Sequence, residues 1–269
     1  MTISVSVLMP AYNAEKYIGE AIESILNQTF RDFEFIIIDD CSTDKTWEII
    51  QEYAKKDSRI VASRNDKNLK ISAALNKGID IAHGKYIARM DADDWSYPDR
   101  LQKQFDFMQA NPDIGVSGGT MEVCDEKLVM KGYRKYKLTD LEIRKKIFRY
   151  SPFCHAAVMY RYSIDERYNS SLDYAEDYDL YFRIGKKFSF GNLDEILIKV
   201  RRIEAGISIS QVRIQEKRTI YIRLKAIMEY GYKINKLDFI YLIMQYVSIY
   251  IIPSNIKIWL FSYIRDLKK

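Results

Sequence analysis

Cysteine and histidine are scarce in this 269-residue chain, and their scarcity removes several classes of function. The three cysteines, Cys41, Cys124 and Cys154, are odd in number, far apart and never in a C-x-x-C pair. Such usage excludes a disulfide-stapled scaffold and fits a reducing compartment. With only His83 and His155 present, a histidine-rich zinc site is not expected. The first residues lack the basic start and long apolar core of a secretory signal and begin a strand almost at once. No G-x-G-x-x-G follows that strand, so hydride transfer on a dinucleotide has no support. Internal repeats and low-complexity linkers are also absent.

What is present is an ordinary globular composition, 48% apolar and 13% aromatic, ample for a core without staples. Lys and Arg number 42 against 37 Asp and Glu, a formal net charge of +5. The excess is uneven. From residue 211 onward there are 11 basic and four acidic residues, whereas residues 1–210 carry 31 basic and 33 acidic. A mildly acidic body argues against a nucleic-acid partner, because phosphate binding needs a basic face. Within the basic tail, residues 239–252 form a nearly continuous apolar and aromatic run. As a helix this run would extend roughly 21 Å, short of the roughly 30 Å hydrocarbon core, so it is not expected to cross a bilayer. Lys233, Lys236 and Lys257 flank it, the composition of a segment lying at a membrane interface. The alternative is a helical pair packed on the body or on another subunit. The expected division is a body over residues 1–209 and a helical, basic, aromatic extension over 210–269.

The first hundred residues alternate short apolar runs with helical periodicity. Residues 5–9 read as a strand ended by Pro10, with Asn13 as N-cap of a helix burying Ile18, Ala21, Ile22 and Ile25. Residues 35–38 read as a strand covered on both faces. Helices are expected over 46–55 and 71–82, the latter closed by Gly84 as a C′ residue, and strands over 59–62 and 86–90. Pro98 opens the next expected helix, over 98–110. Residues 114–121 and 154–161 read as strands, 174–187 as a helix, and everything beyond about 210 as helical. The βαβαβαβ order implies a mainly parallel sheet flanked by helices, with ligands beyond the carboxyl ends of its strands.

Two acidic clusters fall at those ends. Asp91, Asp93 and Asp94 follow the fourth strand, and hard oxygen ligands in D-x-D spacing suit Mg²⁺ or Mn²⁺ held together with substrate phosphates. A solvated acidic turn, with Asp94 capping a helix, is the plain alternative. Asp39 and Asp40 follow the second strand, where a carboxylate can accept hydrogen bonds from a nucleobase or ribose and Ser42 or Thr43 can cap the next helix. Asn65, Asn68 and Asn76 lie in a polar stretch entering a helix, where turn and cap chemistry is the simpler reading. Glu176 and Asp177 open a helix; they either complement its dipole or supply a general base. His83 reads as a helix-end residue and His155 as a satisfied histidine near a strand start.

In this order the motifs resemble those of the family 2 inverting glycosyltransferases, which have the nucleotide-diphospho-sugar transferase (GT-A) fold. The matching stretches are VSVLMPAYNAEKYIGEAIESILNQTFRDFEFIIIDDCSTDKT, NLKISAALNKGIDIAHGKYIARMDADDW, HAAVMYR and AEDYDLYFRI, spread from residue 4 to about residue 187, a span of roughly two thirds of the chain. The resemblance implies a fold of mixed, mainly parallel sheet with helices on both faces. It implies that Pro10, Ala11, Tyr12 and Asn13 flank the nucleotide and that Asp40, beside Asp39, reads uracil. Asp91 and Ala92 would lie near ribose and donor sugar, Asp93 would hold the divalent metal, and Asp177, next to Glu176, would be the base. Asn68 and Asn76 are assigned to the donor side, and Asp94, Glu176 and His155 to the acceptor or supporting groups. The implied donor is a nucleotide sugar, with a UDP-sugar preferred. The implied acceptor is a saccharide hydroxyl, for instance on a polyprenyl-diphosphate-linked oligosaccharide of the kind that cell-surface polysaccharide and O-antigen synthesis uses. The implied address is cytoplasmic, peripheral at the inner face of the cytoplasmic membrane.

Two departures stand out. Many members read G-x-x-x-A-R-N-x-G where this chain has Lys70 through Gly78, so Lys70 or Lys77 would have to replace the lost arginine at the diphosphate. Many also carry Y-R-x-H near the end of the catalytic domain; here Arg201 matches the arginine and is assigned to the diphosphate, but Ile203 replaces the histidine. A sugar-phosphate nucleotidyltransferase is a rival, yet PAYNAEKY is not its glycine- and lysine-rich loop. A non-catalytic sugar-nucleotide binding module is the other, opposed by intact Asp93 and Asp177.

Overall fold

The computed structural model describes residues 3–172, 174–202, 209–253 and 256–257. Four parallel strands, β1 (Val5–Ala11), β2 (Phe33–Asp39), β3 (Ile60–Arg64) and β4 (Tyr86–Arg89), alternate with α1 (Ile18–Leu26), α2 (Thr46–Lys56) and α3 (Lys70–Asp80). Then follow β5 (Trp95–Ser96), α4 (Arg100–Ala110), β6 (Ile114–Cys124), β7 (Met130–Arg134), α5 (Asp140–Arg144), β8 (Met159–Arg161), α6 (Glu176–Ile184) and β9 (Ser189–Arg201). The chain continues into α7 (Ile209–Met228) and α8 (Lys236–Ile251). All nine strands join one mixed sheet in the order β3-β2-β1-β4-β8-β6-β9-β5, with β7 on β6.

The uninterrupted apolar character of β1 and β2 follows from cover on both faces. Val5, Val7, Met9, Phe35 and Ile37 point into one core with Ile18, Ile22 and Ile25 of α1, while Leu8, Ile36 and Ile38 meet Ala74, Leu75 and Ile79 of α3. The chain crosses from one flank of β1 to the other between β3 and β4, leaving a crevice beyond the carboxyl ends of β1 and β4. The sheet then turns antiparallel through β8, and β9 runs parallel to β6 back toward that crevice. Ile222 and Ala226 of α7 belong to the second core, and Ile220 packs with Leu242 and Ile249 of α8.

Several local expectations change. Strand β1 continues through Pro10 to Ala11. Asn13 does not cap α1: it adopts φ 49° and its side-chain oxygen accepts from the Thr43 backbone N–H at 2.8 Å, while its own N–H donates to Ser42 Oγ. Ser42 and Thr43 therefore stitch the β1 and β2 loops together, and Asp44 accepts from Thr46 at the start of α2. Pro98 lies outside α4, its carbonyl accepting from Thr29 N–H. Residues 155–157 form a 3₁₀ turn ahead of a β8 of three residues. Strands β5 and β9 carry too many polar residues to be read as buried runs. The three cysteines are free thiols.

Gly84 is not a left-handed cap among the described residues; its role is close approach. Its N–H donates to Ser6 Oγ at 2.8 Å, and Ser6 donates in turn to buried Glu34, which also accepts from His83 N–H. A Cβ on Gly84 would lie 2.4 Å from Ser6 N and 2.7 Å from Val5 C, both backbone atoms that cannot swing aside. Gly84→Ala is expected to destabilise the protein by about 1–3 kcal/mol, read as a lower midpoint in urea unfolding.

Candidate active site

The crevice holds a cavity of about 770 Å³ at the carboxyl ends of β1, β2 and β4. Pro10, Ala11 and Tyr12 come from the end of β1, Asp40 from the end of β2, and Asp91 from the end of β4. The start of α3 adds Asn68, Lys70, Ile71 and Ala74, and the start of α6 adds Tyr174, Ala175, Glu176 and Asp177; His155, Gln211 and Gln215 complete the lining. Asp40 is buried, and its Oδ1 accepts from Asn65 Nδ2 at 2.7 Å and from Leu69 N–H at 2.9 Å, so its carboxylate is fixed before any ligand arrives. Asp39 is turned away, fully buried, with Oδ2 3.0 Å from Arg64 Nε of the adjacent strand.

Beyond β4, one carboxylate oxygen from each of Asp91, Asp93 and Asp94 lies within 4.8 Å of the others. Burial first, and the Asp91 charge second, push Asp93 up to about 6; the same causes raise buried Asp94 well above the usual carboxylate range. Three hard oxygen donors that resist carrying their charges together fit a divalent cation, which would relieve the repulsion. Arg89, 2% exposed on β4, forms an ion pair with Asp91.

Arg201 arrives at this loop on β9. Its backbone N–H donates to Asp94 Oδ1 at 2.9 Å, Nη1 donates to the Asp93 carbonyl at 2.6 Å, and Nε donates to the Glu126 carbonyl. The guanidinium also pairs with Glu20 and lies 4.6 Å from the centre of the Tyr17 ring. Arg201 is thus occupied in bracing the acidic loop, a different role from the diphosphate contact expected of it. Residues 203–208, which include Ile203, lie outside the described residues.

At the opposite wall, Glu176 and Asp177 form the first turn of α6 after two left-handed residues, Tyr174 and Ala175, both at φ 66°. Burial, then the neighbouring charge of Asp177, pushes Glu176 up to about 7. Burial also raises Asp177, opposed by hydrogen bonding from the Tyr178 backbone and by the Arg89 charge. His155 Nε2 is 3.0 Å from Tyr168 Oη, and burial followed by the Arg89 charge keeps its imidazole neutral.

The cavity therefore gathers Pro10, Ala11, Tyr12, Asp40, Asn68, Asp91, His155, Glu176 and Asp177, with Asp93 and Asp94 in the adjoining carboxylate cluster. It does not gather five others. Asn13 and Asp39 fix loops, Ala92 is in the core, and Arg201 braces the acidic turn. Asn76 spends its amide on the Tyr168 backbone, donating to its carbonyl and accepting from its N–H, both at 2.8 Å. Lys77 Nζ donates to the Arg64 carbonyl and Asn65 Oδ1, leaving Lys70 as the cationic residue of α3 that lines the cavity. Sequence reasoning missed Tyr174, Gln211 and Gln215, whose positions depend on long-range packing, and passed over Arg89, although an arginine inside an apolar strand is a visible signal. Asn13, Cys41, Lys70, Tyr174 and Ala175 are non-glycine residues at positive φ in loops around the crevice. Backbone strain of this kind tends to collect at ligand sites.

Comparison with known proteins agrees with this geometry. A sequence model described as "Glycosyl transferase family 2" matches residues 6–168. An uncharacterized glycosyltransferase of Methanocaldococcus jannaschii, MJ1057, is 39% identical over 81% of this chain and 77% of its own length. Chondroitin synthase of Escherichia coli is 30% identical over 85% of this chain, which spans 33% of that larger protein. Among solved structures, S. aureus TarS 1-349 in complex with UDP-GlcNAc superposes with a TM-score of 0.66 at 23% identity, covering 85% of this chain and 68% of that one. The mannosyltransferase PcManGT from Pyrobaculum calidifontis, in complex with GDP-Man and Mn²⁺, gives 0.65 at 16% identity, over 93% and 70%. The two structures share the fold, a GT-A fold of mixed sheet flanked by helices. By family model and by relatives, the chain belongs to glycosyl transferase family 2.

Proposed function

We propose that the protein is an inverting glycosyltransferase that uses a UDP-sugar, a Mg²⁺ or Mn²⁺ ion and a saccharide acceptor. The observation that carries this reading is the meeting of Asp40, Asp91 and Asp177 in one cavity at the strand ends. Asp40, with its carboxylate fixed by Asn65 and Leu69, is the group that reads the base, and Pro10, Ala11 and Tyr12 flank it. The solved relatives named for UDP-GlcNAc and for GDP-Man with Mn²⁺ support a nucleotide sugar and a metal here. The Asp91, Asp93 and Asp94 carboxylates would hold the ion, which when bound neutralises the departing diphosphate. Lys70 provides a second cation on the cavity wall.

Asp177 takes the proton of the acceptor hydroxyl while its oxygen attacks the anomeric carbon and the bond from that carbon to the diphosphate oxygen breaks. One displacement inverts the configuration; a retaining path would need a carboxylate nucleophile on the other face of the sugar. The raised value of Asp177 makes it a stronger base than an ordinary carboxylate. The expected test is a screen of UDP-, GDP- and dTDP-sugars for hydrolysis or transfer. UDP-sugar turnover should vanish with EDTA, and Asp177→Asn should lose about 10²–10⁴-fold in kcat while still binding UDP. Because a base acts deprotonated, kcat/KM should fall as pH drops through the raised value of Asp177, above the ordinary carboxylate range. Full turnover by Asp177→Asn, or by the wild type in EDTA, would contradict the assignment.

The chain divides into a catalytic body, 1–209, and an extension, 210–269, which reaches the cleft through Gln211 and Gln215 and keeps the enzyme at the cytoplasmic face of a membrane with a polyprenyl-linked acceptor within reach. Among the described residues no helix is long and apolar enough to cross a bilayer. Helix α8 nonetheless exposes Leu237, Ile240, Met244, Val247 and Ile251 at helical spacing, with Met244 65% and Ile251 72% exposed. Exposed Lys217, Lys233 and Lys236 accompany them, which favours an anionic lipid surface as the occupant. The triple variant Ile240→Asn, Met244→Gln, Ile251→Asn should bind phosphatidylglycerol-containing vesicles at least tenfold more weakly than wild type in a flotation assay. Equal binding would contradict the interfacial role.

A further inference from the structure

A second cavity, of about 330 Å³, adjoins the donor cleft and shares Ala175, Asp177 and Gln215 with it. Its walls come from α7 and α8 and from the segment before the 3₁₀ turn, so the C-terminal helices build a chamber against the catalytic carboxylate. Tyr150 and Tyr241 offer aromatic surface, and Gln215, Thr219 and Gln245 offer polar groups, a lining suited to a sugar.

The charges lining this chamber are unevenly compensated. Arg149 Nε is 2.5 Å from the buried carboxylate of Asp238, and Glu216 is 2.8 Å from buried Lys257, so each of those charges has a partner. Arg223 differs. It is 2% exposed, its Nε donates to Tyr178 Oη at 3.1 Å, and its Nη1 donates to the side-chain carbonyl of Gln245. The Tyr178 and Tyr241 rings lie 5.5 and 5.7 Å from the guanidinium carbon. All of these partners are neutral, although a buried guanidinium is most stable against a carboxylate or phosphate in a two-pronged pair. Tyr178, to which Arg223 is tied, directly follows Asp177 in the chain.

We propose that this chamber is the acceptor subsite and that it selects an acceptor bearing an anionic group, a carboxylate or a phosphate, which pairs with Arg223 while a neighbouring hydroxyl meets Asp177. The proposal rests on the reading of Asp177 as the base. The anion supplies the counter-charge that none of these described partners of Arg223 provides, so recognition and compensation of the buried arginine are one event. A neutral acceptor of the same shape would leave Arg223 uncompensated and displace water without replacing its hydrogen bonds.

The test compares matched acceptor probes by calorimetry on the full chain with UDP and Mn²⁺ present. One pair is p-nitrophenyl β-glucuronide against p-nitrophenyl β-glucoside, which differ in a carboxylate. The other is citronellyl-diphosphate-linked N-acetylglucosamine against citronellyl N-acetylglucosaminide, which differ in a diphosphate. At least one charged probe should bind tenfold or more tightly than its neutral counterpart, and the pair that responds identifies the source of the anion. Arg223→Gln should reduce that advantage to less than twofold. Gln245→Glu, which gives Arg223 an internal carboxylate, should do the same while leaving the fold at least as stable; this variant decides the matter where Arg223→Gln does not fold. A purely structural Arg223 would tolerate the new carboxylate with acceptor preference intact. Preference below twofold for both pairs in the wild type, or an undiminished preference in Gln245→Glu, overturns the proposal. UDP affinity, measured on the same samples, reports separately on the donor reading.

Discussion

Arg89 stands at the end of β4 with its guanidinium buried, and five carboxylates surround it: Asp91 in direct ion pair, with Asp93, Asp94, Glu176 and Asp177 within reach of its charge. Without that cation, acids crowded into a low-dielectric cleft would repel one another and take up protons. Even with it the balance is incomplete. Asp93 sits at about 6 and Glu176 at about 7, both raised chiefly by burial, and Arg89 is itself held firmly charged by Asp91. A cluster poised in this way takes up positive charge from outside. In the proposed reaction that charge is a divalent ion on the metal side and, on the base side, the proton leaving an acceptor hydroxyl. The same guanidinium therefore connects the two halves of the reaction.

The rest of the fold brings these groups to one place. Parallel strands covered on both faces set Asp40 and Asp91 on either side of the end of β1 at the crevice, because β1 lies between β2 and β4. Arg201 then ties the acidic turn to α1 through Glu20, an ion pair between residues 181 positions apart in the chain. Left-handed backbone at Tyr174 and Ala175 aims Asp177 into the cavity from the opposite wall. The left-handed backbone at Tyr174 and Ala175 costs stability locally and is sustained by the packed structure around it.

Much of this was legible in the residues. Strand runs such as Phe35 to Ile38 are continuously apolar because no face meets water, and acids placed directly after them fall at the sheet's carboxyl edge. Chemistry at short range was less legible. Adjacent Asp39 and Asp40 look alike in sequence, but Asp39 is the last residue of the strand and pairs in register with Arg64, while Asp40 has left it and turns to the cleft. Asn76 resembles a ligand and is a clamp on the Tyr168 backbone. Strand β9 escaped notice because the stretch Gly191-Asn192-Leu193-Asp194-Glu195 interrupts it with polar residues and breaks any alternation, and the role of Arg201 escaped with it.

Charge separates along the chain as it does in space. The nearly neutral body gathers five of its 33 acids around Arg89, whereas the positive excess lies in the last 59 residues, which include the apolar face of α8 and Arg223. On the proposed reading, the basic extension bears on where the enzyme sits and what it receives, and the acidic cleft on what it does. The central claim, a carboxylate cluster short of positive charge that is completed by a metal and a nucleotide together, is tested most directly by titrating Mn²⁺ into the protein with and without UDP in a calorimeter. The account predicts one Mn²⁺ per chain with affinity at least tenfold higher when UDP is present. UDP binding that is indifferent to Mn²⁺ and to EDTA would contradict it.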